Sequence, residues 1–237
     1  MTTGHNMRVF WRVVKWSISL LLCVICGIIL WRVFSSGDPK EVKYLMGNDA
    51  LYEAYEKSGD ELVLQYQMQD TITTADYNRG YFSITQYVFI PEAKQVQLVF
   101  RYNNSTIKHL ARDYELEAIP DKSEDLFDLT LVTTTDKTPN NREDNADTAQ
   151  LTMERYYPTT FERTETSLYT YYRFVFDNVE IAPDMLYVFA DIYYNGDLDY
   201  EKRPYGTLCL YDDESPWMSY KLSRTESKML AGKEDEK

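Results

Sequence analysis

The sequence predicts a mainly β protein in which a single N-terminal transmembrane helix precedes an antiparallel β-sandwich, immunoglobulin-like or C2-like in general form. Three observations carry this prediction. An uncharged apolar run lies between Lys15 and Arg32. Beyond it, apolar and polar residues alternate with the period of two that half-buried strands require. Turn signals separate about eight or nine such segments, which is typical of a sandwich.

The apolar run has 16 residues, which is short for a bilayer core that needs roughly 20 helical residues. Apolar neighbours extend it on both sides, and the flanking cations can reach the interface while their stems stay in lipid. We therefore predict a transmembrane helix over residues 9–34 after a short cytoplasmic tail, residues 1–8. The expected anchor flanks combine tryptophan and cations, as in membrane-protein interfaces: Trp11, Lys15, Trp16, Trp31 and Arg32.

The end of the run argues for an anchor that stays in place. A cleaved leader ends in small residues, whereas this run ends in Trp31-Arg32. Three cations flank the run on each side, so the positive-inside count is a tie. Asp38 and Glu41 dilute the cations on the C-terminal side, whereas the N-terminal side carries no acid. We expect a single-pass signal-anchor protein of the cell membrane, with its N-terminus cytoplasmic and its C-terminal domain extracytoplasmic.

Cys23 and Cys26 form a C-x-x-C pair inside the same run. A redox pair needs an accessible thiolate and a zinc site needs four ligands. Hydrocarbon surroundings disfavour the thiolate, and no His, Asp or Glu lies nearby. We interpret both cysteines as small apolar residues, with Gly27 on a helix-packing face. Cys209 is the remaining cysteine, so no disulfide within the domain is expected.

A linker with one short helix is predicted over residues 35–60. Asn48 or Asp49 can cap this helix and Gly59 can end it. The sandwich domain follows over residues 61–216. Its strands are predicted in segments 62–69, 82–90, 95–102, 127–134, 151–157, 168–176, 185–194 and 206–211. Alternation is clearest in 62–69 and 95–102, and 127–134 is rich in threonine and β-branched residues.

Three further segments have less regular patterns. Residues 107–116 fit a strand or a short helix. Residues 136–149 are almost all polar and lack periodicity, which predicts a mobile loop. Residues 217–237 are interpreted as a polar C-terminal tail. In the third strand, Gln95 and Gln97 fall on the face expected to be wet.

The charge distribution excludes several partners. The formal net charge is −13, and because residues 1–36 hold four cations and no acid, the rest of the chain carries −17. A body this acidic repels phosphate backbones and anionic lipid surfaces, so we expect no nucleic acid partner. It attracts cations or basic partners.

The sequence lacks the residues that several kinds of nucleotide-binding and catalytic site require. No two of the nine glycines lie closer than ten residues apart, which excludes a Walker loop, a G-x-G-x-x-G turn and a G-x-S-x-G elbow. His109 is the one histidine outside the presumed inner tail, and nothing marks a partner serine for a triad. We expect no cofactor and no catalytic residues, and therefore a protein that is not an enzyme.

One acidic cluster remains a candidate for calcium. Its oxygen-bearing residues are Asp191, Asn195, Asp197, Asp199 and Glu201. Tyr193 and Lys202 stand where an EF-hand loop would place ligands. The simpler interpretation is that Asn195-Gly196 supplies the positive-φ residues of a hairpin turn. We favour the hairpin and expect no metal.

An aromatic face is the second candidate. Tyr187, Phe189 and Tyr193 alternate on one side of a predicted strand. If exposed, these rings could stack on sugars or on a protein. If the strand is central, they pack inside the domain, which is the interpretation we favour.

The composition leads to one expectation and two alternatives. We expect a membrane-anchored, acidic, tyrosine-rich sandwich that serves binding or assembly outside the cell, with a protein or an envelope glycan as its partner. A membrane-tethered, carboxylate-dependent glycan hydrolase is one alternative, because such chemistry needs only two acids. An accessory subunit of a membrane complex, with Cys23 and Gly27 contacting partner helices, is the other.

Overall fold

The computed structural model describes residues 3–35, 39–67, 82–135, 153–181, 187–202, 204–212 and 217–232. The chain divides into two compact units, Met1–Gly37 and Asp38–Lys237. The predicted mobile loop, residues 136–149, lies outside the described residues.

The first unit is one helix, α1, Thr3–Ser35. Its segment Trp11–Trp31 has a mean hydropathy of 2.4, and none of it is buried. Among the described residues, it is the one helix that is long and apolar enough to cross a membrane. The helix begins earlier than the predicted residue 9, because a helix that has nucleated extends at little cost through residues that do not break it.

The second unit is mainly β, with two antiparallel sheets, as predicted. The strands are β1 Val63–Gln67, β2 Phe82–Ile90, β3 Gln95–Asn103, β4 Phe127–Thr134, β5 Met153–Tyr156, β6 Thr160–Glu165, β7 Tyr169–Phe176, β8 Tyr187–Tyr194, β9 Gly206–Asp212 and β10 Trp217–Lys221. The first sheet has the order β10-β1-β2-β3-β7-β6 and the second β5-β4-β8-β9. The helices are α2 Lys40–Lys43, α3 Asp49–Ser58, α4 Thr106–Asp113 and α5 Arg224–Ala231.

The inward-facing side chains of both sheets form one hydrophobic cluster. The alternation in β3 places Leu98, Phe100 and Tyr102 in this cluster, and all three are fully buried. Phe127 of the second sheet meets these rings edge-on, with its centroid 4.9 Å from that of Tyr102 and 5.1 Å from that of Phe82. Such aromatic pairs add about 0.5–1.5 kcal/mol each beyond the burial of their area.

The outer face of the six-stranded sheet is also covered. Leu51 and Ala54 of α3 and Leu230 of α5 pack with Leu64 and Ile90 in a second cluster. The predicted caps of α3 are confirmed, since the Asn48 side chain accepts from the third residue of the helix and Gly59 ends it with φ +55°.

The structure corrects the C-terminal boundary of the domain. The predicted polar tail, residues 217–237, contains β10, which pairs with β1 along its whole length. It also contains α5, which begins at a capping box formed by Ser223 and Glu226. Residues 217–237 show little apolar periodicity. The partner of β10 is β1, about 150 residues earlier in the sequence, so the residues near β10 do not reveal the pairing.

Two smaller differences concern β6 and α4. β6 was not predicted, because it is rich in charged and polar residues; it lies at the edge of its sheet, where such side chains can stay in water. The ambiguous residues 107–116 form mostly helix, and α4 buries Ile107 and Leu110 in the main core.

Candidate functional site

Three connections meet at one end of the two sheets. The register pairs Asn103 at the end of β3 with Tyr169 at the start of β7, and Phe127 at the start of β4 with Tyr194 at the end of β8. The connections that join these strand ends therefore lie together. We call this region the loop end and define it as residues 104–126, 166–168 and 195–202.

Hydrogen bonds fix the three connections to one another. The backbone N–H of Asn195 donates to the carbonyl of Leu126 over 3.0 Å, and its side-chain amide donates to the carbonyl of Asp125 over 2.6 Å. On the other side, Asn104 donates through its backbone to Leu168 over 2.9 Å and through its side chain to Thr166 over 3.0 Å. These contacts link all three connections into one structured surface.

Aromatic rings support this surface from below. The ring of Tyr114, just after α4, lies 4.7 Å from that of Tyr194 and 5.6 Å from that of Tyr205, measured between centroids. The hydroxyl of Tyr205 donates to the carboxylate of Asp113 over 3.0 Å. Burial raises the pKa of Tyr114, and the nearby carboxylate of Asp197 adds to that shift.

The loop end is acidic. Its sequence contains nine acids and four Lys or Arg residues. The Asp197 carboxylate pairs with the Lys202 ammonium at 2.9 Å, and both side chains are more than half exposed. Ile119 and Leu198 are exposed apolar side chains within it. The loop end therefore combines an excess of acids with exposed apolar side chains.

The structure does not assemble the calcium candidate. Asp191 is fully buried in β8, where its carboxylate accepts from the Thr207 hydroxyl over 2.9 Å. Asp197 pairs with Lys202, and Asp199 accepts from the backbone of Glu201 over 3.0 Å. In the described ranges, no group of three or more His, Cys, Asp or Glu residues is arranged to hold a metal.

The hairpin turn expected at Asn195-Gly196 is also corrected. Asn195–Asp197 form a 3₁₀ turn, and neither Asn195 nor Gly196 has a positive φ. The ring of Tyr194 lies where a Cβ on Gly196 would fall, at 2.4 Å. Glycine is therefore needed here for a close approach of the tyrosine and not for a left-handed backbone.

The aromatic face is buried. Tyr187, Phe189 and Tyr193 are 8%, 2% and 3% exposed. Phe189 packs against Val132 of β4, and Tyr193 lies 5.1 Å from the ring of Tyr200 between centroids. This burial removes the three rings as a binding surface, because a partner could not reach them.

Tyr200 covers part of this face. Its hydroxyl donates to the Asp128 carboxylate over 2.5 Å, and its carbonyl accepts from the Arg155 guanidinium over 2.5 Å. Burial and the Asp128 carboxylate raise the pKa of Tyr200. Tyr157, half exposed, contacts the Tyr200 ring from outside, with centroids 5.0 Å apart.

The anchor flanks remain exposed on α1. Trp11, Trp16 and Trp31 are 58%, 77% and 52% exposed, and Lys15 is exposed as well. The side chain of Arg32 lies outside the described residues.

One buried polar network was missed by sequence reasoning. Gln95 and Gln97, expected on a wet face, are fully buried. They belong to a polar network on the outer face of the six-stranded sheet, together with the fully buried Arg173. The Q-x-Q spacing in β3 was the available signal, but it does not reveal that residues 39–48 cover it.

Comparisons with protein families, with curated proteins and with solved structures found no match.

Proposed function

We propose that this protein is a single-pass membrane protein whose acidic, immunoglobulin-like β-sandwich lies outside the cell and binds a partner protein through the loop end. The observation that carries the proposal is the joining of three connections into one exposed acidic surface at the end of the sheets. The proposal has three parts, which are the sandwich form, the location and the binding surface.

The strand order supports an immunoglobulin-like sandwich. Constant-type domains have strands A-B-E-D in one sheet and C-F-G in the other, and a C′ strand can pair with C. The order β2-β3-β7-β6 corresponds to A-B-E-D, and β5-β4-β8-β9 corresponds to C′-C-F-G. β1 and β10 extend the first sheet beyond its A strand. In this correspondence the loop end holds the B–C, D–E and F–G connections.

The chain departs from antibody-type domains in one respect. Their B and F strands carry a disulfide and their C strand carries a tryptophan. Here β3, β4 and β8, the corresponding strands, contain neither residue. The phenylalanine and tyrosine rings of the shared core fill that space instead. We therefore propose an immunoglobulin-like order of strands and not antibody-type recognition.

The chemistry of the loop end favours binding over hydrolysis. A glycan hydrolase needs two carboxylates facing a substrate. In the loop end, Asp113 instead accepts from the hydroxyl of Tyr205, and Asp197 pairs with Lys202. Next to it in β4, Asp128 accepts from the hydroxyl of Tyr200. Carboxylates held in this way contribute charge to a surface that attracts a basic protein.

The location is tested with epitope tags at both ends of the full chain. Membranes are extracted at alkaline pH, and sealed vesicles and intact cells are treated with protease. The apolar helix predicts that the protein stays in the extracted membrane. Loss of the C-terminal tag from intact cells, with the N-terminal tag protected, is the expected orientation, and the reverse pattern would contradict it.

The binding surface is tested by photocrosslinking in intact cells. A crosslinking amino acid is placed at Ile119 or at Leu198, both exposed in the loop end, and at Glu92 as the matched control. Glu92 is exposed in the β2–β3 turn, at the opposite end of the sheets. Adducts at the first two positions and none at Glu92 are expected. Adducts at Glu92 alone would refute the loop end as the binding surface.

A further inference from the structure

Strand β10 is an edge of the six-stranded sheet, and its side chains are exposed. In the part of the chain that the structure describes, β10 pairs with β1 alone. Met218 and Tyr220 are 41% and 36% exposed, and Ser219 and Lys221 are exposed as well. The backbone groups on the side of an edge strand that faces away from its sheet can pair with an added strand. The exposed edge of β10 is therefore a surface for strand addition.

Charge distinguishes β10 from the other edge strands. The remaining edges of the two sheets are β6, β5 and β9. β6 contains two glutamates, β5 contains one, and β9 ends in an aspartate, whereas β10 contains no acid. Its one charged residue is Lys221, whose ammonium pairs with the carboxylate of Glu61. Two copies of this acidic body repel each other least where neither presents a carboxylate, so β10 is the edge best suited to a second copy of the chain.

A two-fold axis through Ser219 makes β10 complementary to itself. Ser219 is the middle residue of the strand, so this register pairs all five residues, whereas an axis through either neighbour pairs three. Met218 of one copy then stands opposite Tyr220 of the other, and Trp217 stands opposite Lys221. Opposite pairs of this kind are favourable, whereas like charges directly opposite each other are not. In this register no cation meets a cation.

The faces of the strand agree with this register. Tyr220 pairs with Leu64 of β1, and Met218 pairs with Tyr66. Because directly opposite residues share a face, Met218 and Tyr220 both lie on the side of the sheet that carries α3 and α5. A two-fold axis normal to the sheet keeps each face common to both copies. The contact between Met218 and Tyr220 therefore forms twice, on one side of a sheet that continues across both copies.

We propose that β10 is a homodimerisation edge, at which two copies of this chain join their six-stranded sheets by antiparallel pairing about Ser219. The inference uses residues of the β body alone, so it does not depend on binding at the loop end or on a membrane anchor. Five paired residues per copy make a small contact compared with the about 1,200–2,000 Å² that a stable complex usually buries. The dimer therefore forms reversibly and depends on concentration.

Disulfide trapping in the full chain tests the register. The three native cysteines are replaced by serine, and one cysteine is introduced at Ser219, Lys221 or Thr160. Opposite Cα atoms of antiparallel strands lie about 4.5–5.5 Å apart, which is within the about 4.4–6.8 Å that a disulfide spans. Ser219 faces itself in the proposed register, whereas the two copies of Lys221 are displaced by four residues, or about 13 Å along the strand. Thr160 is exposed on the edge strand β6 and is the matched control for random collision.

Mild oxidation of the purified chain in detergent should trap S219C as a species of twice the mass of the chain, at several times the yield of K221C or T160C. Equal yields at the three positions would indicate random collision and would overturn the dimer, as would an S219C variant that is not trapped. A higher yield for K221C than for S219C would overturn the register. In intact cells, S219C trapped on a chain of another mass would show that an extended segment of a different protein occupies the edge, which would also overturn the proposal.

A lysine at Ser219 separates strand pairing from the effect of overall charge. The change S219K makes the body less acidic, which by itself favours association. In the proposed register it places two cations directly opposite each other, which disfavours pairing. T225K is the matched control, because it adds the same charge at an exposed position of α5.

Energy transfer between donor-labelled and acceptor-labelled full chains measures this association over a range of concentrations, with the dyes at a cysteine introduced at Glu92. S219K should associate several-fold more weakly than the chain with the native Ser219, and T225K should not. Association that S219K does not weaken lies elsewhere in the chain and would overturn the inference. Circular dichroism and cooperative unfolding show whether S219K remains folded, and the trapping of S219C decides the question if it does not.

Discussion

Replacing Gln97 with methionine tests how strongly the six-stranded sheet holds residues 39–48, the segment that precedes α3. Gln97 is fully buried, and methionine has similar length and volume but no hydrogen-bonding amide. The change removes both hydrogen bonds to Met46 and the bond to Gln95. It also removes the bond that Arg173 donates to the Gln97 oxygen over 3.3 Å. Each bond contributes about 1 kcal/mol net, and a buried group left unpaired costs about 1–3 kcal/mol.

Water can reach the partly buried backbone of Met46, which limits the cost there. The side-chain oxygen of Gln95 loses its donor inside a fully buried network, so more of the cost of an unpaired buried group applies there. We therefore expect Gln97→Met to lower the free energy of unfolding by about 2–4 kcal/mol. Urea unfolding of the full chain in detergent, followed by circular dichroism, measures this loss. Hydrogen exchange at the Met46 amide should accelerate while exchange in β3 and β7 stays slow at low denaturant.

Gln65→Met is the matched control. Gln65 lies in β1 of the same sheet and is half buried, and its side chain makes no hydrogen bond within the described part of the chain. Its replacement should change the free energy of unfolding by less than about 0.5 kcal/mol. A loss below about 1 kcal/mol for Gln97→Met, or an equal loss for both variants, would refute the reasoning.

The remaining predictions concern pH, a helix end and the C-terminal helix. Burial raises the pKa of Tyr102, Tyr172 and Tyr200 above the ordinary 10.0. The unfolded chain loses these protons first, so stability should be full below about pH 10 and fall as the pH rises further. Tyrosinate absorbance should then rise together with unfolding, and ionisation of the full set before unfolding would contradict this. Gly59→Ala should cost about 1 kcal/mol in thermal unfolding, because alanine is strained at φ +55°; an unchanged melting temperature would argue against that backbone. Ser223→Ala should cost about 1 kcal/mol and speed hydrogen exchange in α5, since it removes the capping box; unchanged exchange in α5 would argue against the cap.

Local patterns were sufficient for most of the regular elements. The alternation in β3 identified that strand, and the threonine and β-branched residues of β4 identified the other. The caps of α3 were predicted correctly, because Asn48 and Gly59 act on backbone groups within a few residues of their own positions. The apolar helix was equally clear, because its length and composition do not depend on the rest of the chain.

The candidate sites were less predictable. The acids near Asn195 are adjacent in the sequence, but a strand carries Asp191 into the sheet while the loop end keeps Asp197 in contact with Lys202. The favoured interpretation of Tyr187 and Phe189 as packed rings agrees with the structure, since β8 lies between β4 and β9 and both of its faces are buried. Sequence spacing alone cannot distinguish an inner strand covered on both sides from one that is covered on a single side.

The sequence by itself determined the apolar helix, the acidic body and the period of the strands, because charge, hydropathy and alternation are local properties of the chain. Only the tertiary structure decided which ends of strands meet, which faces are covered and where residues 39–48 lie. Those outcomes depend on contacts between distant segments, such as the bonds from Gln97 to Met46 and from Arg173 to Val42. Burial of such polar groups is favourable only when their partners are brought to them, and the partners are chosen by the fold.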